Sequence, residues 1–296
     1  MANAGSGAAV AKAANPAPAL LETVAGRQSG SVAPPPLAEQ LGEFSGDPNF
    51  MTSLARGLLV IQAFSQQKLQ LSISQLSRRT GLSRASVRRC LYTLSKLGFA
   101  GTEDGRNFYL RPRVLTLGHS YLSSMPLAAA AQPVLEHLSQ ILHESCSIAL
   151  LDGIEIVYVA RANITRIMSI DLGVGTRLPA FCTSMGRVLL AHLPPEELEN
   201  VLPRIEFTRY TERTVTSIEK LRQVLTLVRR QGYAIVDQEL ELGLRSMAVP
   251  VHNASGRVVA AINVGAHGQR VSVQDMQTRF LPYLRAAAQE VCLLLR

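Results

Sequence analysis

The sequence predicts an α+β fold in two domains: a small helical domain closed by a β-hairpin, then, past a connecting helix, a larger domain in which strands and helices segregate. Three observations predict it. Between about residues 50 and 98 the apolar positions recur with a helical period, in three segments punctuated by glycines. Directly after Gly98, two short β-patterned runs flank a turn-forming tetrapeptide. Beyond Pro126 the pattern switches in blocks between strand and helix periods, without the regular strand–helix–strand alternation of a parallel sheet.

Each element follows from local chemistry. Residues 1–48 are rich in Ala, Gly, Ser and Pro, include three consecutive prolines at 34–36 and carry no sustained period, so they read as a disordered tail. Leu54, Leu58 and Ile61 make one face of a first helix over about 50–65. Ser72 caps a second helix, with Gln75 at the capping-box position, Leu71 stapled to Leu76, and Gly81 as the stop. Ser83 caps a third, with Leu82 facing Val87, and this helix runs to Leu97 and ends at Gly98. Residues 99–102 and 107–110 then flank Glu103-Asp104-Gly105-Arg106 and read as a hairpin wing. The first domain, 49–111, is therefore predicted to be a winged helix-turn-helix.

A connecting helix is expected within 112–125, and the second domain over 126–296. It opens with a helix over 126–144, on which Val134, Leu138, Ile141 and Leu142 are apolar. Strands are predicted at 147–151, 155–161 and 166–172, followed by a loop over 173–180. Helices follow at 183–192, 195–201 and 217–231, strands at 233–239, 245–252 and 258–265, and a terminal helix at 272–295.

Composition excludes several classes of function. The 47% hydrophobic, 18% charged chain suits packed domains rather than a disordered or fibrous protein. No run approaches the roughly 20 apolar residues of a membrane span, and Lys12, Asn15 and Pro16 interrupt the Ala-rich start where a secretory leader needs an apolar run. The cysteines, Cys90, Cys146, Cys182 and Cys292, are scattered in apolar surroundings and read as reduced thiols, so a soluble cytoplasmic protein is expected, without membrane association. Within a net charge of +8, residues 51–113 alone hold eleven Lys and Arg against Glu103 and Asp104, a local +9. All the excess positive charge thus sits in the helix-turn-helix domain, where it can meet a polyanion.

The third helix is where duplex DNA is expected to bind. Val87, Leu91 and Leu94 fix its buried face, which leaves Arg88, Arg89, Tyr92 and Lys96 opposite. Ser83, Arg84, Ala85 and Ser86 occupy its N-terminal turn, where a recognition helix reaches base edges in the major groove. Arg78 and Arg79 end the preceding helix nearby, and Arg106 stands at the wing tip. The planar guanidinium fork suits guanine O6/N7 and phosphate alike. The plain alternative, a solvated basic face on a helical hairpin, does not account for cap, glycine turn, second cap and wing in succession.

These residues resemble the IclR-type transcription regulators. Residues Leu71-Ser72-Ile73-Ser74-Gln75-Leu76-Ser77-Arg78-Arg79-Thr80-Gly81-Leu82-Ser83, followed by Ala85-Ser86-Val87-Arg88-Arg89, are similar to the family's helix-turn-helix signature. Leu178-Pro179-Ala180-Phe181-Cys182-Thr183-Ser184-Met185-Gly186-Arg187-Val188-Leu189-Leu190-Ala191 and Glu241-Leu242-Gly243-Leu244-Arg245-Ser246-Met247-Ala248-Val249-Pro250-Val251 are similar to two effector-domain motifs. Residues 51–58, with Arg166-Ile167-Met168-Ser169 and 182–186, resemble the branch controlling protocatechuate, hydroxybenzoate and β-ketoadipate catabolism. The resemblance implies a GAF-like sensor domain, homodimers or homotetramers, and in this branch activation more often than repression; the expected mechanism is a ligand-dependent shift between oligomer geometries that differ in DNA affinity or in contact with RNA polymerase.

It also implies that an effector lies between the sensor sheet and the segment 181–185, with Ser184, Leu244, Ser246 and Asn263 at lining positions. The local chemistry suits a small aromatic or dicarboxylic acid. Backbone N–H groups of Thr183, Ser184 and Met185 would open a helix without intrahelical partners and offer a carboxylate seat. Arg161 and Arg166 are candidate counter-ions or solvent-facing strand residues, and Asp237 or Glu239 would receive a ligand hydroxyl. Met168 and Phe181 supply apolar walls or ordinary core, and Cys182 reads as a small apolar pocket residue.

Catalytic readings are weaker. Cys182 at a helix N-terminus would have a lowered pKa, but no motif ties His192 or His252 to it as a base. His137, His143 and Cys146 lack metal-ligand spacing, and Gly173-Val174-Gly175-Thr176-Arg177-Leu178 lacks the last glycine of a dinucleotide loop. No catalytic residue, metal or cofactor is expected. A regulator returns its ligand unchanged; the rival class, a small-molecule-modifying enzyme with an accessory DNA-binding domain, does not.

Overall fold

The computed structural model describes residues 41–44, 46–64, 70–164 and 172–295. The chain divides after Arg111 into two units.

In the first unit, helix α1 (Thr52–Gln62) precedes α2 (Ile73–Thr80) and α3 (Arg84–Lys96). The capping box is in place: Gln75 N donates to Ser72 Oγ at 3.3 Å and Ser72 N donates to Gln75 Oε1 at 2.9 Å. Gly81 ends α2 at φ +74°, a left-handed conformation that a side chain disfavours. Both staples are buried, since Leu71, Leu76, Leu82 and Val87 share one apolar cluster with Val60, Leu91, Leu94 and Ala100. Strands β1 (Leu71–Ser72), β2 (Ala100–Thr102) and β3 (Asn107–Leu110) form a small antiparallel sheet in the order β1-β3-β2.

Two expectations change here. Within this unit α1 turns Leu59 and Val60 inward, while Leu54 and Leu58 are exposed. Apolar residues surround that helix, so period alone leaves two faces to choose from. The tail reading also ends too late: Leu41–Phe44 forms a 3-10 turn, Leu41 packs against the core, and the Phe44 and Phe50 rings stack at 4.8 Å. The rest of that reading, residues 1–40, lies outside the described residues.

The second unit begins with a 3-10 turn, α4 (Leu115–Ser123), which has no buried residue, and α5 (Pro126–Leu142). Its centre is a six-stranded antiparallel sheet of β4 (Ser145–Asp152), β5 (Glu155–Ala162), β6 (Arg177–Pro179), β7 (Ala234–Asp237), β8 (Leu244–His252) and β9 (Val258–His267), in the order β6-β5-β4-β9-β8-β7. One face packs on α5 and the terminal helix through residues such as Leu135, Ile148, Ile262 and Leu284. The other is covered by α6 (Ser184–Ala191) and α8 (Ile218–Gln231), with α7 (Pro195–Val201) between them in sequence. The terminal helix, α9, comprises Val273–Asp275, a π-helical turn Met276–Phe280 and Leu281–Leu294.

Helices thus lie on both faces of an antiparallel sheet, the α+β class the sequence predicts. The expected loop 173–180 contains strand β6, which extends the sheet edge beside β5. Three residues ending in proline carry too little pattern to be read as a strand, and an edge tolerates that proline. The strand expected at 166–172 falls outside the described residues except Leu172, which is not in a strand. Among the described residues no helix is long and apolar enough to cross a membrane.

Candidate functional site

Helix α3 holds the basic face. Its buried residues, Val87, Leu91 and Leu94, leave Arg84, Arg88, Tyr92 and Lys96 in one exposed stripe at fourfold spacing, with Ala85 and Arg89 beside it. The Lys96 ammonium sits 5.4 Å from the centre of the Tyr92 ring. Ser83 is occupied as the cap, accepting from Ser86 N at 3.2 Å and bonding Ser86 Oγ at 3.0 Å. Arg78 and Arg106 are exposed. Arg79 donates to Ala63 O at 2.8 Å, which ties the end of α2 to the end of α1.

In the second unit, register decides which predicted effector residues meet. Arg161 pairs with Ser147, Ser147 with Asn263, and Asn263 with Ala248, so these four form one row across β5, β4, β9 and β8. Ala248 belongs to the cluster under α6, which places the whole row on that face. Ser246, two residues from Ala248 on β8, and Leu244, two further, share the face. Arg161 Nη1 donates to Ser147 Oγ at 3.3 Å, Arg161 also bonds Asn163, and its guanidinium lies 5.6 Å from the centre of the Tyr158 ring.

Helix α6 faces this row. Thr183 is its N-cap: Gly186 N donates to Thr183 Oγ1 at 3.3 Å, and Thr183 Oγ1 donates to Pro179 O at 3.0 Å. The turn closes with Arg187 N donating to Thr183 O at 3.0 Å, so the N–H groups of Ser184 and Met185 head the helix ahead of its own ladder. Phe181 is buried edge-on to Phe207, with centroids 5.1 Å apart, so its ring serves as core.

Two buried polar atoms of these elements lack partners: Ser184 Oγ at the head of α6, in a residue 1% exposed, and Asn263 Oδ1 on β9, in a residue 9% exposed. An unsatisfied buried group costs about 1–3 kcal/mol, so such atoms mark a place where a further partner fits.

Other candidates are placed elsewhere. Asp237 pairs with Arg245 in register, on the face opposite Ser246, and is held by Arg213 at 2.5 Å and Arg245 at 2.7 Å. Glu239 is bound by Arg187 at 2.6 and 2.7 Å and by Val215 N at 2.9 Å. Both carboxylates are thus already held by arginines of the protein, and the alternation of β7 turns Asp237 to the face opposite Ser246. Arg166 and Met168 lie outside the described residues.

Burial pushes the Cys182 thiol up to about 12, against a smaller opposing pull from Arg187, the opposite of the lowering that an activated thiolate needs. His137, His143 and Cys146 do not come together as a ligand set, and among the described residues no cluster of His, Cys, Asp or Glu could hold a metal ion. A cleft of about 480 Å³ opens beside α5, lined by Gln132, Glu136, His143 and Ile164; of the row residues only Arg161 reaches it.

Sequence reasoning missed Ser147, Tyr158 and Arg187. The signals were a serine inside an apolar central strand and an arginine inside the apolar run 185–191.

The comparisons with known proteins agree with both units. Residues 53–104 match the IclR helix-turn-helix domain, and residues 119–293 match the bacterial transcriptional regulator IclR C-terminal model. The chain is 53% identical over 268 residues to the Pca regulon regulatory protein of Pseudomonas putida, spanning 89% of this chain and 92% of that one. It is 37% identical over 248 residues to the p-hydroxybenzoate hydroxylase transcriptional activator of Acinetobacter baylyi, spanning 82% and 91%. The crystal structure of an IclR homolog complexed with 4-hydroxybenzoate, from Microbacterium hydrocarbonoxydans, superposes with a TM-score of 0.71 at 28% identity, covering 82% of this chain and 99% of that one. With a helix-turn-helix carrying the basic stripe and a matched effector domain behind it, the chain belongs to the IclR family of DNA-binding transcription regulators, which are not enzymes.

Proposed function

We propose that this regulator controls genes of aromatic-acid catabolism, as an activator, in response to a small aromatic or dicarboxylic acid seated between α6 and the β4–β9–β8 face. The observation that carries the reading is the pair of unpartnered buried atoms, Ser184 Oγ at the head of α6 and Asn263 Oδ1 on the sheet face that α6 covers. The acid's carboxylate takes Ser184 Oγ and the N–H groups of Ser184 and Met185 at the positive end of α6. Ser246, Asn263 and, at the edge of the row, Arg161 meet the ligand's other polar groups. The relative named as the p-hydroxybenzoate hydroxylase transcriptional activator, and the IclR homolog crystallised with 4-hydroxybenzoate, support this class of ligand.

On the DNA side, Arg84, Ala85, Ser86, Arg88 and Tyr92 read the major groove, and Arg78, Arg89 and Arg106 hold backbone or minor groove. Ser83 and Arg79 support that surface from behind. The protein works in the cytoplasm as a homodimer or homotetramer in which the acid shifts the population between states of different promoter affinity or polymerase contact. The functional limits are 49–111 for DNA, 112–125 for the connection and 126–296 for the effector.

The test is a thermal-shift screen of benzoate, 3- and 4-hydroxybenzoate, protocatechuate and linear dicarboxylates. A bound acid at 100 times its Kd stabilises by about 2.7 kcal/mol, which is a readable shift. Stabilisation by at least one acid and by none of the matching alcohols is expected. No shift with any acid counts against the reading.

A further inference from the structure

The wing turn is organised by one carboxylate. Asp104 Oδ1 accepts from Arg106 N at 2.8 Å, Asn107 N at 2.7 Å and Thr102 Oγ1 at 3.3 Å, while Oδ2 accepts from Asn107 Nδ2 at 2.7 Å. Those four donors, foremost the N–H groups of Asn107 and Arg106, hold the Asp104 carboxyl down at about 2. Gly105 takes φ +67° beside it, and the Arg106 side chain is left exposed at the tip of the β2–β3 hairpin. The neighbouring Glu103 is equally exposed.

By charge alone an aspartate is misplaced here. The segment 51–113 around it carries a net +9 and must approach a polyanion. Its hydrogen bonds are all local, so it contributes nothing to the core. What they do fix is the backbone of residue 106, and with it the direction in which that arginine leaves the turn.

We propose that Asp104 is a positioning residue for DNA binding, holding the wing tip in the one conformation that presents Arg106 to the DNA. The inference rests on the reading of Arg106 as a DNA contact. Freezing the tip in advance removes an ordering cost that a flexible turn over 103–106 would meet on binding. Asp104 thereby strengthens DNA binding although it adds a negative charge to the face.

The experiment measures affinity of the full-length protein for a duplex selected by the wild type from a random-sequence pool. The variants are Asp104→Ala, Asp104→Asn, Glu103→Ala, Arg106→Ala and Asp104→Ala/Arg106→Ala, with melting temperature recorded for each. Arg106→Ala is expected to weaken binding by roughly five- to tenfold, the scale of one lost contact. Asp104→Ala should cost a similar factor, the double variant no more than Arg106→Ala alone, and Asp104→Asn, which keeps an accepting oxygen, an intermediate factor. Glu103→Ala, which removes the same charge without the hydrogen bonds, should bind as tightly as wild type or tighter.

Three results overturn the proposal. Wild-type or tighter binding by Asp104→Ala makes the residue only a repulsive charge. Multiplicative losses in the double variant make it act independently of Arg106. An unaffected Arg106→Ala removes the DNA contact of the wing tip as well, while leaving the reading of α3 standing.

Discussion

Arg187 on α6 grips Glu239, just past β7, through both guanidinium ends, at 2.6 and 2.7 Å, with the arginine side chain only 3% exposed. The third nitrogen, Nε, donates to Phe181 O at 2.9 Å, and Glu239 Oε2 also accepts from Val215 N at 2.9 Å. One ion pair therefore joins the turn before α6, α6 itself, the 211–215 loop and the end of β7.

Breaking a buried pair from one side leaves an uncompensated charge, which typically costs about 3–5 kcal/mol. Arg187→Ala and Glu239→Ala are each expected to lose stability on that scale in urea denaturation. An apolar double replacement, Arg187→Met with Glu239→Leu, should lose much less than the sum. Additive losses would show that the two side chains do not act as a pair.

Gly186 offers a test of the same helix by packing. A Cβ there would fall 2.2 Å from Ala180 O and 2.3 Å from Ala180 Cα, both backbone atoms that cannot swing aside. Gly→Ala inside a helix ordinarily gains about 1 kcal/mol. Here the substitution should instead destabilise the effector domain and reduce ligand affinity, read by melting temperature and calorimetry. A more stable Gly186→Ala protein would mean that α6 does not sit this close to Ala180.

His192 supplies the pH dependence. Its imidazole pKa is lowered, first by burial and then by the nearby positive charge of Arg229 and by His252, against the bond from Nδ1 to Val188 O at 2.8 Å. The unfolded chain, with an ordinary value of about 6.5, then binds the proton more readily than the folded one. Stability is therefore full above that value and falls as pH drops below it, toward the lowered folded pKa. Between pH 7.5 and 5.5 the melting temperature should fall more in the wild type than in His192→Asn. Equal slopes would remove His192 as the cause.

For DNA, Arg88→Ala should weaken operator binding by about 1–3 kcal/mol as the loss of a base contact, and Arg89→Ala should weaken it uniformly across sequences as the loss of a backbone contact, with melting temperature unchanged in both. Binding should also weaken steeply with salt, as expected of the +9 segment. Arg79→Ala should differ by lowering stability, because it severs the bond to Ala63 O. If Arg88→Ala and Arg89→Ala both bind like wild type, α3 is not the recognition helix.

The parts legible in the sequence are those set by local chemistry. Ser72 with Gln75, Gly81, Ser83 and the turn at Gly105 announce caps and breaks that depend only on neighbouring residues. Strand β1, two residues long, and β6, three residues ending in proline, exist because a partner edge is present, which no local pattern reports. The candidate site divides the same way. That Arg161 shares a face with Asn263 while Asp237 does not depends on register, including the shift between Ile148 and Ala149. Arg187 sits in the apolar run of α6, yet its burial becomes intelligible only once Glu239, fifty-two residues later, is seen to hold it.

The most direct measurement is calorimetric titration of wild type, Ser184→Ala and Ser184→Leu with the best acid from the screen, alongside promoter binding without ligand. Removing the hydroxyl should cost about 0.5–1.5 kcal/mol of ligand affinity, one net hydrogen bond. The leucine competes for the ligand's volume as well and should abolish measurable binding, while ligand-free DNA affinity and folding persist in both variants. Wild-type ligand affinity in Ser184→Leu would contradict the account, because the effector would then lie away from the head of α6.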